Sequence, residues 1–199
     1  MRFHNPSADV FVPDGLAPEA ALARTTHLAI SAHQDDIEIM AYHGIAECFG
    51  RKDRWFTGVV VTNGAGSPRA GIYGDYTDQE MQKVRVLEQR KAAFVGEYAC
   101  QIQLGFTTSQ VKNPDESAVV EDLKRILRAA RPEFVYLHNL ADKHDTHVAV
   151  ALRSIAALRA EFPEVAERIR YHIPDEKEKR HGQAIAAASL PSIPTLETH

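Results

Sequence analysis

The chain has 199 residues, of which 44% are hydrophobic and 25% charged, and its net charge is −4. This size and balance suit one folded domain with a continuous core. The slight acidic excess, without a basic run interleaved with aromatics, argues against a nucleic-acid partner. No apolar run in the sequence is long enough to cross a bilayer, and the N-terminus lacks a signal-peptide core, which predicts a cytoplasmic location.

Strand-like and helix-like segments alternate along the chain from residue 26 to residue 161. The predicted strands lie near 27–32, 57–63, 101–105 and 134–138, and the predicted helices near 38–50, 77–97, 116–130 and 147–161. This alternation predicts an α/β fold, a Rossmann-like three-layer sandwich with a mostly parallel sheet. In a doubly wound sheet of order 3-2-1-4, the first and fourth strands are neighbours, and ligands bind beyond their carboxyl ends.

The turn that follows the first predicted strand carries three candidate site residues, His33, Asp35 and Asp36. Adjacent side chains diverge in such a turn, so one carboxylate can bind a metal ion while the other acts as a general base toward water. The alternative is that Asp36 caps the following helix and Asp35 is a solvated turn residue.

A second candidate pair, His144 and His147, follows the fourth predicted strand at the start of a helix. Residues three apart on a helix share a face, so both imidazoles can enter one pocket. Such a pair is common and by itself does not indicate a site. The topology makes it informative, because the first and fourth strands end side by side and so bring both motifs to one crevice. Two imidazoles and a carboxylate are typical of a catalytic zinc ion, which predicts a metal hydrolase. His138, which ends the fourth strand near the predicted pocket, is predicted to be structural, and the alternative is that it supports the metal ligands.

Both motifs resemble those of the zinc-dependent deacetylases typified by the N-acetylglucosaminyl-phosphatidylinositol deacetylase, called LmbE-like or PIG-L-like. The resemblance covers about residues 24–161. The run His-Gln-Asp-Asp-Ile-Glu at 33–38 is similar to the family's His-Pro-Asp-Asp-x-Glu, and His-Asp-Thr-His at 144–147 is similar to its His-x-Asp-His. Gln34 replaces the usual Pro, and Thr146 stands where the family usually has Asp, a carboxylate that would orient a neighbouring His. Whether Asp145, one residue out of register, takes that role stays open.

The resemblance implies a role for each motif residue. By it, the metal ligands are His33, Asp36 and His147, the general base is Asp35, and the acid or oxyanion stabiliser is His144. The implied ion is Zn²⁺, with Fe²⁺ as the alternative, and the implied reaction removes an acetyl group from an N-acetylated amino-sugar-type substrate. Two alternatives stay open: an amidase that acts on a small thiol conjugate, and a non-catalytic member that binds a sugar or a metal.

Four further residues are weaker candidates for binding the substrate: Asn63, Arg69, Tyr73 and Arg85. Asn63 begins a loop of small residues after the second strand, and Arg85 resembles a family position near the substrate. The alternatives are a flexible turn at Asn63 and an exposed loop at 69–73. Arg85 would equally form an i,i+3 ion pair with Glu88. A nucleotide-binding role is disfavoured, because no Gly-x-Gly-x-x-Gly pattern follows the first strand.

The sequence predicts a single α/β deacetylase-like domain at 1–171, with a fifth strand near 168–171, and an irregular C-terminal tail at 172–199. The apolar residues of the tail have no periodicity of a core element, so we expect the tail to dock on a neighbouring protomer of a homo-oligomer. Cys48 and Cys100 are predicted to be buried thiols, not a disulfide framework. The predicted partner is a small N-acylated molecule, with neither nucleic acid nor a membrane span.

Overall fold

A computed structural model describes residues 1–163 and, for the backbone only, 170–171 and 186–189. The strands are Asp9–Phe11 (β1), His27–Ser31 (β2), Phe56–Thr62 (β3), Cys100–Phe106 (β4), Phe134–Leu137 (β5), Arg170–Tyr171 (β6) and Ala186–Ser189 (β7). The helices are Pro18–Ala23 (α1), Asp36–Met40 (α2), Tyr42–Cys48 (α3), Asp78–Val95 (α4), Thr108–Lys112 (α5), Ala118–Ala130 (α6) and Asp145–Glu161 (α7), with a 3₁₀ turn at Gly71–Tyr73.

The strands form one sheet in the order β1-β4-β3-β2-β5-β7-β6. Its centre, β4-β3-β2-β5, is parallel and has the predicted 3-2-1-4 order. The carboxyl ends of β2 and β5 therefore lie side by side, which is where the two motifs begin. β1 adds an antiparallel strand beside β4 at one edge.

Helices cover both faces of the sheet, which confirms the three-layer α/β prediction. Leu28 and Ile30 pack on one face in a core that α1, α5, α6 and α7 share, whereas Ala29 packs on the other with α2, α3 and α4. Every residue of β2 and β3 is buried. Strands covered on both faces are apolar almost throughout, and this made them recognisable in the sequence.

Two elements differ from the prediction. The single helix expected at 38–50 is divided at Ala41, whose φ of −120° is not helical, into α2 and α3. The tail expected to be irregular contains β7, which pairs antiparallel with β5 of the same chain. Its alanines have little strand propensity and so gave no signal. The rest of 172–199 lies outside the described residues, so the boundary at 171 and docking on a neighbouring protomer stay predictions.

Helix α4 reaches the motif turn after β2 from the side, and its start is well defined. Thr77 Oγ1 accepts a hydrogen bond from the Glu80 amide, and the Glu80 carboxylate accepts one from the Thr77 amide. This reciprocal capping satisfies two amides that the first helical turn leaves free.

In the part of the chain that the structure describes, no helix has both the length and the apolar composition of a membrane span.

Candidate metal centre

The turn after β2 sends its two adjacent aspartates into different surroundings. Asp35 has a φ of +83°, in the left-handed region that Asp adopts more readily than most residues. Asp36 closes the turn, because its Oδ2 accepts a hydrogen bond from the His33 amide at 2.6 Å. The Asp36 side chain is 12% exposed and that of Asp35 is 64% exposed. The first therefore lies inside the crevice and the second at its rim.

Three donor atoms converge beyond the ends of β2 and β5. His33 Nδ1 lies 3.3 Å from Asp36 Oδ2 and 3.2 Å from His147 Nε2, and the last two atoms are 3.4 Å apart. Ligand bonds of about 2.0–2.1 Å arranged tetrahedrally place donors roughly 3.3–3.4 Å from one another. The separations thus fit one divalent ion of zinc size.

The charge of the site favours a cation. Burial raises the pKa of the Asp36 carboxyl, but the hydrogen bonds that it accepts from His33, including the one from the His33 amide at 2.6 Å, more than offset this effect and hold that pKa well below its usual range. Asp36 is therefore a carboxylate at neutral pH. Two overlapping groups, His33 with His144 and His147, and Asp36 with His138 and His147, each place their donor atoms within 4.8 Å of one another.

A third aspartate, Asp142, orients His147. Its Oδ2 lies 3.0 Å from His147 Nδ1, so this nitrogen carries the proton and the Nε2 lone pair faces the centre. Sequence reasoning missed Asp142 and left open whether Asp145 takes such a role. Asp145 instead binds Lys112 Nζ at 2.7 Å and is 76% exposed. A carboxylate in the same loop, just before His144, was the signal available.

His138 lies closer to the centre than its predicted structural role required. Its buried ring stacks on His147, with centroids 4.0 Å apart and planes at 9°. The Ala32 amide donates a hydrogen bond to His138 Nε2 at 2.8 Å, and this nitrogen is 3.4 Å from Asp36 Oδ2. Because Nε2 accepts from Ala32, the neutral ring keeps its proton on Nδ1. Burial also lowers the pKa of His138, which favours this neutral form. His138 therefore packs behind two of the three donor residues.

His144 stands at the mouth of the centre, where it precedes the first turn of α7. Its half-exposed ring stacks on His147 at 4.5 Å and meets His33 edge-on at 4.9 Å. Desolvation, with the neighbouring imidazoles of His147 and His33, lowers the pKa of His144. Its Nδ1 is 4.0 Å from Asp145 Oδ1, so this carboxylate makes no direct hydrogen bond to it.

The predicted substrate residue Arg85 contacts the predicted base. Its guanidinium donates to Asp35 Oδ2 at 2.8 Å and to the Gln34 carbonyl. The alternative ion pair with Glu88 is also present, at 2.6 Å. Arg85 therefore links α4 to the motif turn, and its contact with a substrate stays a prediction.

The other three predicted substrate residues make local contacts. Asn63 Oδ1 accepts a hydrogen bond from the Ala65 amide at 3.1 Å, which shapes the turn after β3. Arg69 donates to the Ala65 carbonyl at 2.8 Å and also pairs with Asp78. Tyr73 packs edge-on against a neighbouring tyrosine at 5.3 Å. These contacts do not bring the three residues to the metal centre, and their roles stay predictions.

The family model described as GlcNAc-PI de-N-acetylase, PIG-L, matches residues 28–158. The chain belongs to the PIG-L family. The match spans both motifs and all four central strands, and so covers the whole crevice. No curated protein matches the chain.

Several solved structures share this PIG-L fold. The N,N'-diacetylchitobiose deacetylase from Pyrococcus horikoshii has a TM-score of 0.59 and 19% identity, over 72% of this chain and 53% of that one. The A40926 pseudoaglycone deacetylase has a TM-score of 0.55 and 20% identity, over 79% and 78%. The 4-carboxy-2-hydroxymuconate hydratase from Pseudomonas putida has a TM-score of 0.59 and 20% identity, over 72% of this chain and 59% of that one. This chain thus spans about half the length of the Pyrococcus protein, and likeness at such identities shows the fold alone.

Proposed function

We propose that the chain is a metal-dependent hydrolase that removes an acetyl group from an N-acetylated amino-sugar-type substrate. The observation that carries the proposal is the convergence of His33 Nδ1, Asp36 Oδ2 and His147 Nε2 at mutual distances of 3.2–3.4 Å. Membership of the PIG-L family supports the reaction class. Two of the similar structures are named as deacetylases, one of a chitobiose and one of a pseudoaglycone, which is consistent with it.

The ion would be held by His33, Asp36 and His147. A divalent cation bound there polarises an amide carbonyl and lowers the pKa of water, and Zn²⁺ is the first choice for two imidazoles and a carboxylate. Fe²⁺ is the alternative, since the same ligand set serves non-haem iron. Asp142 would orient His147 through its hydrogen bond, and the His138 ring would hold His147 by stacking on it.

The proton transfers fall to residues at the rim. The Asp35 carboxylate takes a proton from the attacking water, and Arg85 fixes the direction of that carboxylate through its 2.8 Å hydrogen bond. As the C–N bond breaks, a proton reaches the departing nitrogen, and His144 at the mouth is placed to deliver it or to stabilise the oxyanion. The products are acetate and a free amine.

One observation favours the non-catalytic alternative. The His144 ring has no carboxylate within hydrogen-bonding distance among the described residues, since its contact with Asp145 is 4.0 Å and residue 146 is a buried threonine. An unoriented imidazole is a weaker acid catalyst. A binding protein of the same fold would keep the three donors and lose turnover, so metal content and hydrolysis must be measured separately.

The experiment begins with protein purified without a histidine tag or chelator. Metal content per chain is measured by mass spectrometry, and acetate release is then followed with N-acetylglucosamine and N,N'-diacetylchitobiose as probes. About one zinc or iron per chain, with acetate release that the His147→Ala variant lacks, would support the proposal. A chain that takes no metal even when zinc is supplied would refute the hydrolase. Full metal loading without acetate release would refute the amino-sugar deacetylase and leave the binding protein or the amidase that acts on a small thiol conjugate.

A further inference from the structure

The backbone of Asp35 is held in a conformation that needs support. Its φ of +83° lies in the left-handed region, which costs a non-glycine residue about 1–2 kcal/mol. The segment is short, because β2 ends at Ser31 and α2 begins at Asp36. A relaxed backbone at this point would turn the carboxylates of both aspartates. Something outside the turn must therefore favour the left-handed form.

Gln89 of α4 makes the contact that supports it. The side-chain oxygen Oε1 accepts a hydrogen bond from the Asp35 amide at 3.1 Å, across a sequence separation of 54 residues. Gln89 is only 1% exposed, so water does not compete for this bond. The Asp35 amide points to α4 only while the turn keeps its present shape.

Glu38 fixes which way the Gln89 amide faces. Gln89 Nε2 donates to Glu38 Oε1 at 2.9 Å. Rotation of the amide by 180° would place its NH₂ group against the Asp35 N–H and its oxygen against the Glu38 carboxylate, and both contacts would be repulsive. The Glu38 carboxylate thus holds the Gln89 NH₂ group, and this leaves Gln89 Oε1 facing the Asp35 amide.

Tyr98 completes the network from the loop before β4. Its hydroxyl donates to the same Glu38 oxygen at 2.8 Å, and Tyr98 is 2% exposed. Glu38 Oε2 is buried and has no hydrogen-bond partner among the residues that the structure describes. A buried polar chain thus runs from Tyr98 through Glu38 and Gln89 to the Asp35 amide, and each member is ordered by the next.

We infer that Gln89 is a positioning residue, which together with Glu38 and Tyr98 holds Asp35 left-handed and so keeps the two aspartates in separate roles. Asp36 then faces the imidazoles, while the Asp35 carboxylate stays at the rim beside Arg85. Only the catalytic consequence of this inference rests on the proposed function. The support of the turn is a property of the chain and has its own readout.

The test uses three variants of the full chain. Gln89→Leu removes, at similar volume, the hydrogen bonds with Asp35 and Glu38 and a longer third one, from Gln89 Nε2 to Gln101 Oε1 at 3.4 Å. Gln89→Glu combined with Glu38→Gln exchanges the acid and the amide. The carboxylate introduced at position 89 then accepts from the Asp35 amide, and the NH₂ group introduced at position 38 has one proton for that carboxylate and one for the Tyr98 hydroxyl oxygen. Gln82→Leu is the matched control, since it makes the same replacement on α4 at a half-buried residue outside the network of Tyr98, Glu38 and Gln89.

Three quantities are measured for each variant: hydrogen exchange of the Asp35 amide, metal content per chain, and kcat and KM for acetate release. In Gln89→Leu, hydrogen exchange of the Asp35 amide should be roughly tenfold faster or more than in the wild type. The variant should keep its metal, and its kcat should fall roughly tenfold or more with little change in KM. The exchanged pair should restore both amide protection and kcat, and the control should match the wild type.

Failure of the inference and failure of the proposed function give different results. If Gln89→Leu leaves exchange of the Asp35 amide unchanged, Gln89 does not hold the turn. If Gln89→Leu and the exchanged pair lose kcat equally, the hydrogen bonds are not the cause, and the positioning role is wrong. If neither the variants nor the wild type release acetate, the exchange data still decide whether Gln89 supports Asp35, while the deacetylase proposal fails by itself.

Discussion

His147 donates a hydrogen bond from Nδ1 to Asp142 Oδ2 at 3.0 Å, which leaves its Nε2 facing His33 and Asp36. An imidazole ligand gains basicity and a fixed direction from such a carboxylate. The partner is the acid five residues before His147, in the loop that leads into α7. The neighbouring Asp145 points outward to Lys112.

The Asp142→Asn variant should bind metal about 10–100-fold more weakly than the wild type, since the amide removes the charge that orients His147. Competition with a chromogenic chelator measures the affinity. Asp145→Asn is the matched control, because the Asp145 carboxylate is exposed and paired at the surface. Equal loss of affinity in both variants would show that Asp142 does not have this role.

The central fold was predictable because β2, β3 and β5 are largely apolar runs between helical patterns, and β4 alternates apolar residues with Gln101 and Gln103. β1 escaped notice because three residues of an edge strand carry no periodicity. β7 escaped for another reason, since the run Ala-Ala-Ala-Ser has no strand propensity and pairs through its backbone.

The meeting of the two motifs was likewise predictable, because topology brings them to neighbouring strand ends. The choice of His33, Asp36 and His147 as ligands came from the family resemblance and stays a prediction. The supporting residues were not predictable. Gln89 reaches the motif turn across 54 residues, through the packing of α4 on the sheet. The position of His138 at the end of β5 placed it near the pocket, but its stack on His147 could not be read from the sequence.

Removal of the proposed base and removal of a proposed metal ligand should have different effects on metal content. Asp35→Asn should keep about one metal per chain and lose most hydrolysis, because the Asp35 side chain lies outside the donor cluster. His147→Ala should lose the metal, since it deletes one of three donors. Metal content and acetate release, measured on the same preparations, test this. Equal metal loss in both variants would contradict the division of roles.

Thr146→Asp, which restores the residue usual in the family, should destabilise the fold without raising activity. Thr146 is 1% exposed in the first turn of α7, and burial of an unpaired carboxylate costs at least about 1–3 kcal/mol. His147 already has its carboxylate in Asp142. Thermal unfolding and acetate release are measured, with Thr146→Val as the control of similar shape. A gain in activity without loss of Tm would show that the site is impaired by Thr146.

His27 should make the protein less stable as the pH falls. The ring is 2% exposed and stacks on Phe134 at 4.7 Å, and desolvation lowers the pKa of His27 to about 4. Because an unfolded histidine has a pKa of about 6.5, the unfolded chain binds more protons between pH 6.5 and pH 4. The contribution of His27 to the free energy of unfolding is therefore complete above pH 6.5, and at most about 3 kcal/mol is lost as the pH falls from 6.5 to 4.

The His27→Phe variant removes this titration and keeps an aromatic ring in the stack with Phe134. Denaturant unfolding from pH 8 to pH 4 gives the free energy of unfolding for the wild type, for His27→Phe and for His43→Phe, which replaces an exposed histidine on α3. The wild type and the His43 variant should lose stability in parallel, and the His27 variant should lose less. Parallel curves for all three proteins would mean that His27 does not titrate as expected, because among the three only the His27 variant lacks the proton uptake of that ring on unfolding.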